Sequence, residues 1–337
     1  MSENEHRLHA IEAEEDVGAL RRAVARMAVG QHGLPAGVAE LVATELGTNL
    51  VRHAHPGGYV LARRAADGIE LISVDRGPGM TAASLTPPVD LVPSSNRRGG
   101  LNAGLGVVRR NSVEFDWYST RGGTVVYARL GANPSGTAGR WCFGGVNVPL
   151  GGDGESGDAW SVTPGERLTA LVVDGLGHGA GAALAASAAI TTFEHGPVTA
   201  LDHFIQRAHQ AMRATRGGVL GACVIDPEDG ELSYAAVGNI TGRIITNGHR
   251  SVHLLDRPGT LGTHLPVPRT HLQHCRWQPG STLVLTSDGI RSGWNLEDHP
   301  RLLEHHPAII AAVVHRDHAR PSDDATVLVV RDRNGMS

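Results

Sequence analysis

Two sets of polar motifs, one in each half of the chain, constrain its fold most strongly. The first set contains Glu45 and Asn49, four residues apart, followed by Asp75 at the end of an apolar run. The second set consists of acidic residues that stand beside glycine or next to apolar runs: Asp158, Asp174, Asp288 and Asp323. The 337 residues suffice for two domains of ordinary size, so we expect one domain around each set.

Composition limits the classes of protein to which the chain can belong. Hydrophobic residues make up 41% of the chain and aromatic residues 4%, which predicts cores built of Ala, Val and Leu. With a net charge of −4 and no block of Lys and Arg, we expect neither a nucleic-acid partner nor binding to a membrane surface. Three scattered cysteines, together with the lack of a signal peptide or a long apolar segment, favour a cytoplasmic protein.

Hydrophobic periodicity and turn residues predict an α+β protein with domains at 1–132 and 141–333, joined by a linker at 133–140. The first domain should contain three helices and four strands. The helices are predicted at 12–31, 36–54 and 105–111, and the strands at 59–64, 69–74, 113–119 and 124–130. The second should contain two sheets flanked by helices. Its strands are predicted at 168–173, 220–225, 231–237, 243–246, 281–286 and 326–331, and its helices at 181–193, 198–214 and 308–315.

The residues of the first set suit a nucleotide. Glu45 and Asn49 share one helix face, where an Asn oxygen can bind Mg²⁺ and a Glu can act as a base. Gly77 and Gly79 let the backbone approach a flat ligand after Asp75. Further glycines follow a long loop and lead into a helix, where backbone N–H groups suit phosphate: Gly100, Gly104 and Gly106. Each fragment alone could instead be a solvated helix face or a turn.

The acidic residues of the second set suit divalent cations. Carboxylates are hard ligands that bind Mg²⁺ or Mn²⁺, and two such ions can activate a water for attack on phosphorus. Asp174 and Asp288 follow apolar strands, and Asp323 precedes one, so their strand ends could meet at one edge of a sandwich. Taken singly, an Asp-Gly pair is also a common turn, and Asp323 with Asp324 could be a helix cap or a solvated pair.

Residues 7–130 resemble the GHKL family of ATP-binding domains with the Bergerat fold, and within it the RsbT and RsbW type serine kinases. The resemblance implies an N-terminal α/β sandwich that binds ATP with Mg²⁺. It implies that Asn49 holds Mg²⁺, that Glu45 is the base and that Asp75 contacts the adenine amino group. The glycines would form part of the lid over the nucleotide and contact its phosphates. Asn102 stands where the family usually has another glycine.

Residues 141–333 resemble the PPM-type metal-dependent protein phosphatases, in the SpoIIE and RsbX branch. The resemblance implies an αββα sandwich with two Mn²⁺ or Mg²⁺ ions and water as the nucleophile. It implies metal ligation by the side chains of four acids and by the carbonyl of Gly175: Asp158, Asp174, Asp288 and Asp323. His178 lies within the motif and is either an assisting acid or a turn histidine.

The pairing of these two resemblances predicts a bifunctional regulator of a bacterial partner-switching pathway. The first half would phosphorylate STAS-type or stressosome-like proteins, and the second half would remove that phosphate. A downstream regulator or a sigma factor is a further possible partner of the first half. Two alternatives remain open: the first half is a non-catalytic ATP sensor or docking module, which Asn102 favours, or it is an anti-sigma factor.

Overall fold

The chain forms two units in a computed structural model, Arg7–Ser135 and Gly136–Ser337, and the second unit also includes Met1–His6. The structure describes residues 4–333 except 32, 56, 66, 81–100, 133–138, 197, 199, 247–250 and 264–265, with only the backbone at 101–103. Most of the predicted linker lies outside the described residues, so its bounds stay a prediction. No helix in the described part of the chain combines the length and the apolar character that crossing a membrane requires.

The first unit packs three helices on a five-stranded antiparallel sheet. The helices are α1 (Glu14–Ala28), α2 (Val38–His53) and α3 (Leu101–Arg110). The strands are β1 (Arg7–Ile11), β2 (Gly58–Ala65), β3 (Gly68–Asp75), β4 (Glu114–Thr120) and β5 (Gly123–Gly131), in the order β1-β2-β3-β5-β4. The apolar stripe of α1 is buried at Val17, Leu20 and Val24. At the start of α1, Asp16 accepts the backbone N–H groups of Glu12 and Ala13, both at 2.9 Å. The central strand β3 ends at Asp75 and so delivers that carboxylate to one edge of the sheet.

The second unit is the predicted αββα sandwich of two five-stranded antiparallel sheets. One sheet has the order β13-β10-β9-β8-β7, and the other β12-β11-β14-β15-β6. The strands are β6 (Trp141–Val148), β7 (Asp158–Thr163), β8 (Leu168–Gly175), β9 (Gly218–Asp226), β10 (Glu231–Val237), β11 (Thr241–Ile245), β12 (Ser251–Leu254), β13 (Gln273–Arg276), β14 (Thr282–Thr286) and β15 (Ala325–Asp332). Residues of both sheets share one core, including Leu168 and Val172 from one and Leu285 and Val330 from the other.

Helices cover the outer faces of the two sheets. They are α4 (Ala180–Glu194), α5 (Leu201–Ala211) and α6 (Pro307–His318). The alanines of α4, among them Ala185 and Ala189, pack on the face of β8 that carries Leu171 and Val173. Because alanine is small, α4 lies close to the strand whose end carries Asp174. The other sheet is covered by α6, whose residues are buried over most of its length.

Five strands have no counterpart among the predicted ones: β1, β6, β7, β12 and β13. Each lies at the edge of a sheet. Three of them carry exposed side chains along much of their length, so they lack the apolar run that marks a strand in sequence: β1, β12 and β13. Their pairing is decided by the neighbouring strand rather than by their own composition.

The start of the chain contributes to the second unit, although the predicted first domain begins at residue 1. The backbone N–H of His6 donates to the carbonyl of Asn147 at 2.7 Å, and Asn4 Nδ2 donates to the carbonyl of Trp160 at 2.9 Å. Glu5 accepts the backbone N–H of Ser156 at 3.3 Å. These bonds explain the placement, because they satisfy buried backbone groups of the second unit.

Candidate functional site

Strand ends from both sheets bring four predicted metal-ligating acids of the second unit to one edge of the sandwich. Asp158 and Asp174 stand directly opposite each other in the pairing of β7 with β8. Asp288 follows β14, and Asp323 precedes the neighbouring strand β15. The sequence placed Asp174, Asp288 and Asp323 at strand ends, whereas Asp158 begins β7, which the sequence did not predict. The sheet order decides that the four ends coincide.

The electrostatics of these acids show that they share one environment. Burial raises the pKa of Asp174, and the charges of Asp158, Asp288 and Asp323 raise it further. Burial also raises the pKa of Asp158, against the hydrogen bond from Ser287. The pKa of Asp323 is raised by burial and by the charge of Asp288. Such mutual repulsion favours either protonation or a bound cation.

Hydrogen bonds that the sequence analysis did not assign hold two of these carboxylates. Ser287 Oγ donates to Asp158 Oδ2 at 2.6 Å and accepts the backbone N–H of Thr326 at 3.0 Å. Asn239 Nδ2 donates to Asp288 Oδ2 at 2.7 Å. Ser287 belongs to the motif around Asp288, so its position was visible in the sequence, but Asn239 is close only through the fold.

Asp324 has a different environment from its neighbour Asp323. Its side chain is 3% exposed and accepts two backbone N–H groups at 2.7 Å, that of Leu150 at Oδ1 and that of Gly157 at Oδ2. Asp323 is only half-buried. The loop 150–157 leads directly into Asp158, so Asp324 fixes the segment that carries this acid.

The donor chemistry of the four acids fits a divalent cation, because all the side chains offer hard oxygen ligands. Among the described residues, however, no group of three or more His, Cys, Asp or Glu is arranged so that it could hold a metal ion. The mutual pKa shifts and this absence are compatible, because one carboxylate shifts the pKa of another over a longer distance than the one at which both could bind the same metal ion.

The other two predicted residues of this site are Gly175, the last residue of β8, and His178, in the loop between β8 and α4. Gly175 donates its N–H to the carbonyl of Gly157 at 2.9 Å, and any side chain at Gly175 would overlap the carbonyl of Ala182. His178 lowers the pKa of Asp323 slightly, so the imidazole lies within electrostatic reach of that carboxylate. Both residues therefore border the acidic cluster.

In the first unit, α2, β3 and β5 enclose a cavity of about 250 Å³. Asn49, Asp75 and Gly79 line it, together with apolar residues such as Leu46 and Val126. Asp75 Oδ1 accepts the N–H of Gly77 at 2.7 Å and that of Thr124 at 3.1 Å, so the carboxylate is fixed at the cavity wall. The Nδ2 of Asn49 is buried with no hydrogen-bond partner among the described residues, and a polar ligand in the cavity would supply one.

The predicted glycines of the first unit differ in their surroundings. A methyl group built on Gly104 would lie 2.7 Å from Glu45 Oε2 and 3.3 Å from Asn49 Oδ1, so α3 passes directly over both side chains. Gly79 has φ +81° and borders the carbonyl of Thr120, a place where no other residue fits. Gly106 faces only Arg110. Gly100 lies outside the described residues, as does the side chain of Asn102.

Comparison with known families supports both resemblances. Residues 164–333, half of the chain, match the family "Stage II sporulation protein E (SpoIIE)", and residues 11–130 match "Histidine kinase-like ATPase domain". These matches confirm that the chain joins a kinase-like ATPase domain to a domain of the SpoIIE type. The ATPase match implies that the first unit binds ATP.

Individual relatives cover the second half of the chain. "Phosphoserine phosphatase RsbX" of Bacillus subtilis (strain 168) is 26% identical over 125 residues, 37% of this chain and 62% of that protein. The chain therefore spans less than two thirds of that relative. A solved structure from work on "The bacterial stressosome: a modular system that has been adapted to control secondary messenger signaling" is 30% identical, with a TM-score of 0.52. The match covers 57% of this chain and 99% of the other. A crystal structure of RsbX in complex with magnesium is 20% identical, with a TM-score of 0.49, and the match covers 57% and 95%.

Proposed function

This chain belongs to the SpoIIE family through its second unit, and we propose on that premise that the unit is a metal-dependent phosphatase acting on phosphoserine or phosphothreonine in proteins. The observation that carries the proposal is the set of four acids at a single edge of the sandwich, where burial and neighbouring carboxylates raise the pKa of Asp158, Asp174 and Asp323. A phosphatase that uses metal ions needs such a set, because it concentrates negative charge that bound cations neutralise.

The side chains of this site would have two roles in the reaction, metal binding and orientation of the metal-binding carboxylates. Asp158, Asp174, Asp288 and Asp323, with the carbonyl of Gly175, would hold two Mn²⁺ or Mg²⁺ ions. Bound divalent cations supply hydroxide from water near neutral pH and stabilise charge on the phosphoryl group. Ser287 orients the carboxylate of Asp158, and Asn239 orients that of Asp288.

His178 completes this assignment. Cleavage of the phosphoserine ester leaves a serine oxygen that must gain a proton. The imidazole of His178 borders the cluster and can provide that proton from its ring nitrogen. Water adds to phosphorus, the ester bond breaks, and the products are serine and inorganic phosphate.

The first unit is assigned ATP with Mg²⁺, in the cavity lined by Asn49 and Asp75. Asn49 would hold the metal ion, Asp75 would accept from the adenine amino group, and the glycines would border the phosphates. With Glu45 as base, the unit would phosphorylate a Ser or Thr of a partner protein. Kinase and phosphatase on one chain would then act on the same partner at a high effective concentration.

The partners of the proposed activities are STAS-type proteins of a cytoplasmic partner-switching pathway. Two relatives support this class: one is a phosphoserine phosphatase named RsbX, and the other comes from work on the bacterial stressosome. A downstream regulator or a sigma factor bound by the first unit would complete the switch. A nucleic-acid or membrane partner is not part of the proposal.

One observation favours a second candidate, in which the first unit binds ATP without transferring phosphate. Asn49 and Asp75 line the cavity, but Glu45 does not, and Gly104 of α3 packs against Glu45 Oε2. A base held beneath a helix cannot reach a partner hydroxyl unless α3 moves. The first unit would then be an ATP sensor or a docking module, including docking of a sigma factor.

Labelled ATP separates these candidates. We would incubate the full chain, Asp174→Ala and the double variant Asp174→Ala/Glu45→Ala with γ-labelled ATP, Mg²⁺, Mn²⁺ and a STAS protein. Label that accumulates with Asp174→Ala, clears with the parent and fails to appear with the double variant supports both activities. If no variant labels the STAS protein while the parent dephosphorylates it when it is supplied phosphorylated, the ATP-sensor candidate holds. If the parent releases no phosphate, the proposed phosphatase is wrong.

A further inference from the structure

An arginine outside the predicted site lies against the loop that joins β8 to α4. Methyl groups built on two glycines of that region would contact the guanidinium of Arg216: one on Gly181 would lie 2.6 Å from Nε and 2.8 Å from Cζ, and one on Gly177 would lie 3.4 Å from Nη1. The guanidinium therefore rests on the backbone that flanks His178, within the segment that begins at Asp174.

The backbone on both sides of Arg216 is fixed. Thr215 Oγ1 accepts the N–H of Gly217 at 3.0 Å, and the carbonyl of Gly217 accepts the N–H of Leu176 at 3.0 Å. Gly218 then exchanges backbone hydrogen bonds with Leu261, at 3.1 Å and 2.8 Å. Because its backbone is held, Arg216 can reach the loop before α4 without ordering a flexible segment first.

The charge of Arg216 is not neutralised by an acidic residue in the described part of the chain. The residue is exposed, and its guanidinium forms no ion pair or hydrogen bond with the residues that the structure describes. By contrast, Arg140 and Arg316 of the same unit are paired with Asp332 and Asp317, at 2.7 Å and 2.8 Å. A guanidinium that rests on the segment between Asp174 and α4, with no partner among the described residues, is available to an anion from outside.

From this placement we propose that Arg216 binds the phosphoryl group of the phosphoprotein substrate at the rim of the acidic site. The inference rests on the proposed phosphatase function and adds a substrate-binding residue to it. A phosphoserine carries a charge of roughly −1.5 to −2 at neutral pH, and a guanidinium can bind two of its oxygens at once. The lack of a side chain at Gly181 is part of the site, because it leaves room for the guanidinium.

Kinetics and binding on the full chain loaded with Mn²⁺ test this proposal. We would compare the parent with Arg216→Gln, Arg216→Lys and Gly181→Ala. The matched control is Arg213→Gln, which removes an exposed arginine from the same connection between α5 and β9. Three quantities are measured for each protein: KM and kcat for a phosphoserine peptide, and the Kd of inorganic phosphate by calorimetry. Thermal unfolding verifies that each variant folds.

We expect Arg216→Gln to raise KM and the Kd of phosphate together, by about ten- to a hundredfold, with kcat nearly unchanged. Arg216→Lys should fall between Arg216→Gln and the parent because it keeps the charge but loses the two-pronged geometry. Gly181→Ala should displace the guanidinium and so raise both KM and the Kd of phosphate. Arg213→Gln should leave KM and the Kd of phosphate unchanged.

Two results would overturn the assignment of Arg216: unchanged KM and Kd in Arg216→Gln, or equal rises in Arg213→Gln, which would point to a general effect of charge. Failure of the proposed function gives a different pattern. If the parent hydrolyses no phosphoserine peptide, the phosphatase proposal fails. The Kd of inorganic phosphate then still tests the role of Arg216. Weaker phosphate binding in Arg216→Gln, but not in Arg213→Gln, supports the anion site, and binding equal to that of the parent rejects it.

Discussion

At the scale of single residues, the neighbours Asp323 and Asp324 are chemically identical, and their surroundings separate their roles. Asp323 is half-buried and coupled to Asp288, whereas Asp324 is buried and accepts the backbone N–H groups of Leu150 and Gly157. In sequence, both acids could have been ligands, a helix cap or a solvated pair. Hydrogen bonds to distant backbone groups distinguish the two.

Asparagine substitutions should give opposite results at these two positions. Asp324→Asn replaces an acceptor oxygen by an N–H₂ group that faces a backbone N–H, so we expect a loss of about 3 kcal/mol in the free energy of unfolding. Asp323→Asn should leave the free energy of unfolding nearly unchanged while weakening Mn²⁺ binding. Urea titration and calorimetry measure the two effects. Equal destabilisation by both variants would contradict the distinction.

A buried histidine makes the stability of the second unit depend on pH. Burial, together with the charge of His6, lowers the pKa of His315 on α6 from 6.5 to about 4. Between these values the unfolded chain takes up a proton that the folded protein does not. The stability that is fully present above pH 6.5 is therefore lost as the pH falls toward 4, by an amount on the order of 3 kcal/mol.

His315→Leu should remove this part of the pH dependence. We expect the free energy of unfolding of the variant to fall less between pH 6.5 and 4 than that of the parent. Chemical denaturation at a series of pH values gives both slopes. His253→Gln, which removes an exposed histidine, is the control and should follow the parent. Parallel slopes for His315→Leu and the parent would contradict the prediction.

At the scale of elements, the passage of α3 over α2 shapes the cavity of the first unit. Gly104 allows this approach because a methyl group there would meet Glu45 Oε2 and Asn49 Oδ1. In the sequence, Gly104 was one of several glycines assigned to phosphate. The structure shows that Gly104 is also needed for the packing of α3 against α2, which hydrophobic periodicity could not reveal.

Alanine at Gly104 should therefore disturb nucleotide binding more than it disturbs folding. We expect Gly104→Ala to weaken ATP binding by about tenfold or more, because Asn49 is displaced. Gly18→Ala on α1 is the matched control, since its methyl group would meet only Arg22 Nη1 at 3.5 Å. It should raise helix stability by about 1 kcal/mol and leave ATP binding unchanged. Equilibrium dialysis with labelled ATP measures both variants.

At the scale of the whole molecule, each unit carries its own core and its own ligand chemistry. A ligand that binds a folded unit stabilises that unit by about 2.7 kcal/mol at a hundred times its Kd. Each ligand should therefore act on one unit only. Two separate sites predict that a substitution in one unit abolishes stabilisation by the ligand of that unit alone. One shared site would lose stabilisation by both ligands.

We expect Mn²⁺ to raise the unfolding temperature of the parent and of Asn49→Ala, but not that of Asp174→Ala. ATP with Mg²⁺, at a Mg²⁺ concentration that alone has no effect, should raise the unfolding temperature of the parent and of Asp174→Ala, but not that of Asn49→Ala. Differential scanning calorimetry with each ligand measures all six combinations. Loss of the Mn²⁺ effect in Asn49→Ala would contradict the assignment of the metal centre to the second unit.

The sequence by itself determined the two-part organisation, most of the interior strands and helices, and the residue types of both sites. Apolar periodicity and nearby glycines are local signals, and they sufficed to place Asp174 at the end of β8 and Asp75 at the end of β3. Only the tertiary structure decided which strand ends meet, that Asn239 and Asp324 contact the acidic cluster and the loop leading to it, and that Arg216 lies against Gly177 and Gly181. These contacts join residues far apart in the chain, and their energy depends on distance and burial, which no local pattern encodes.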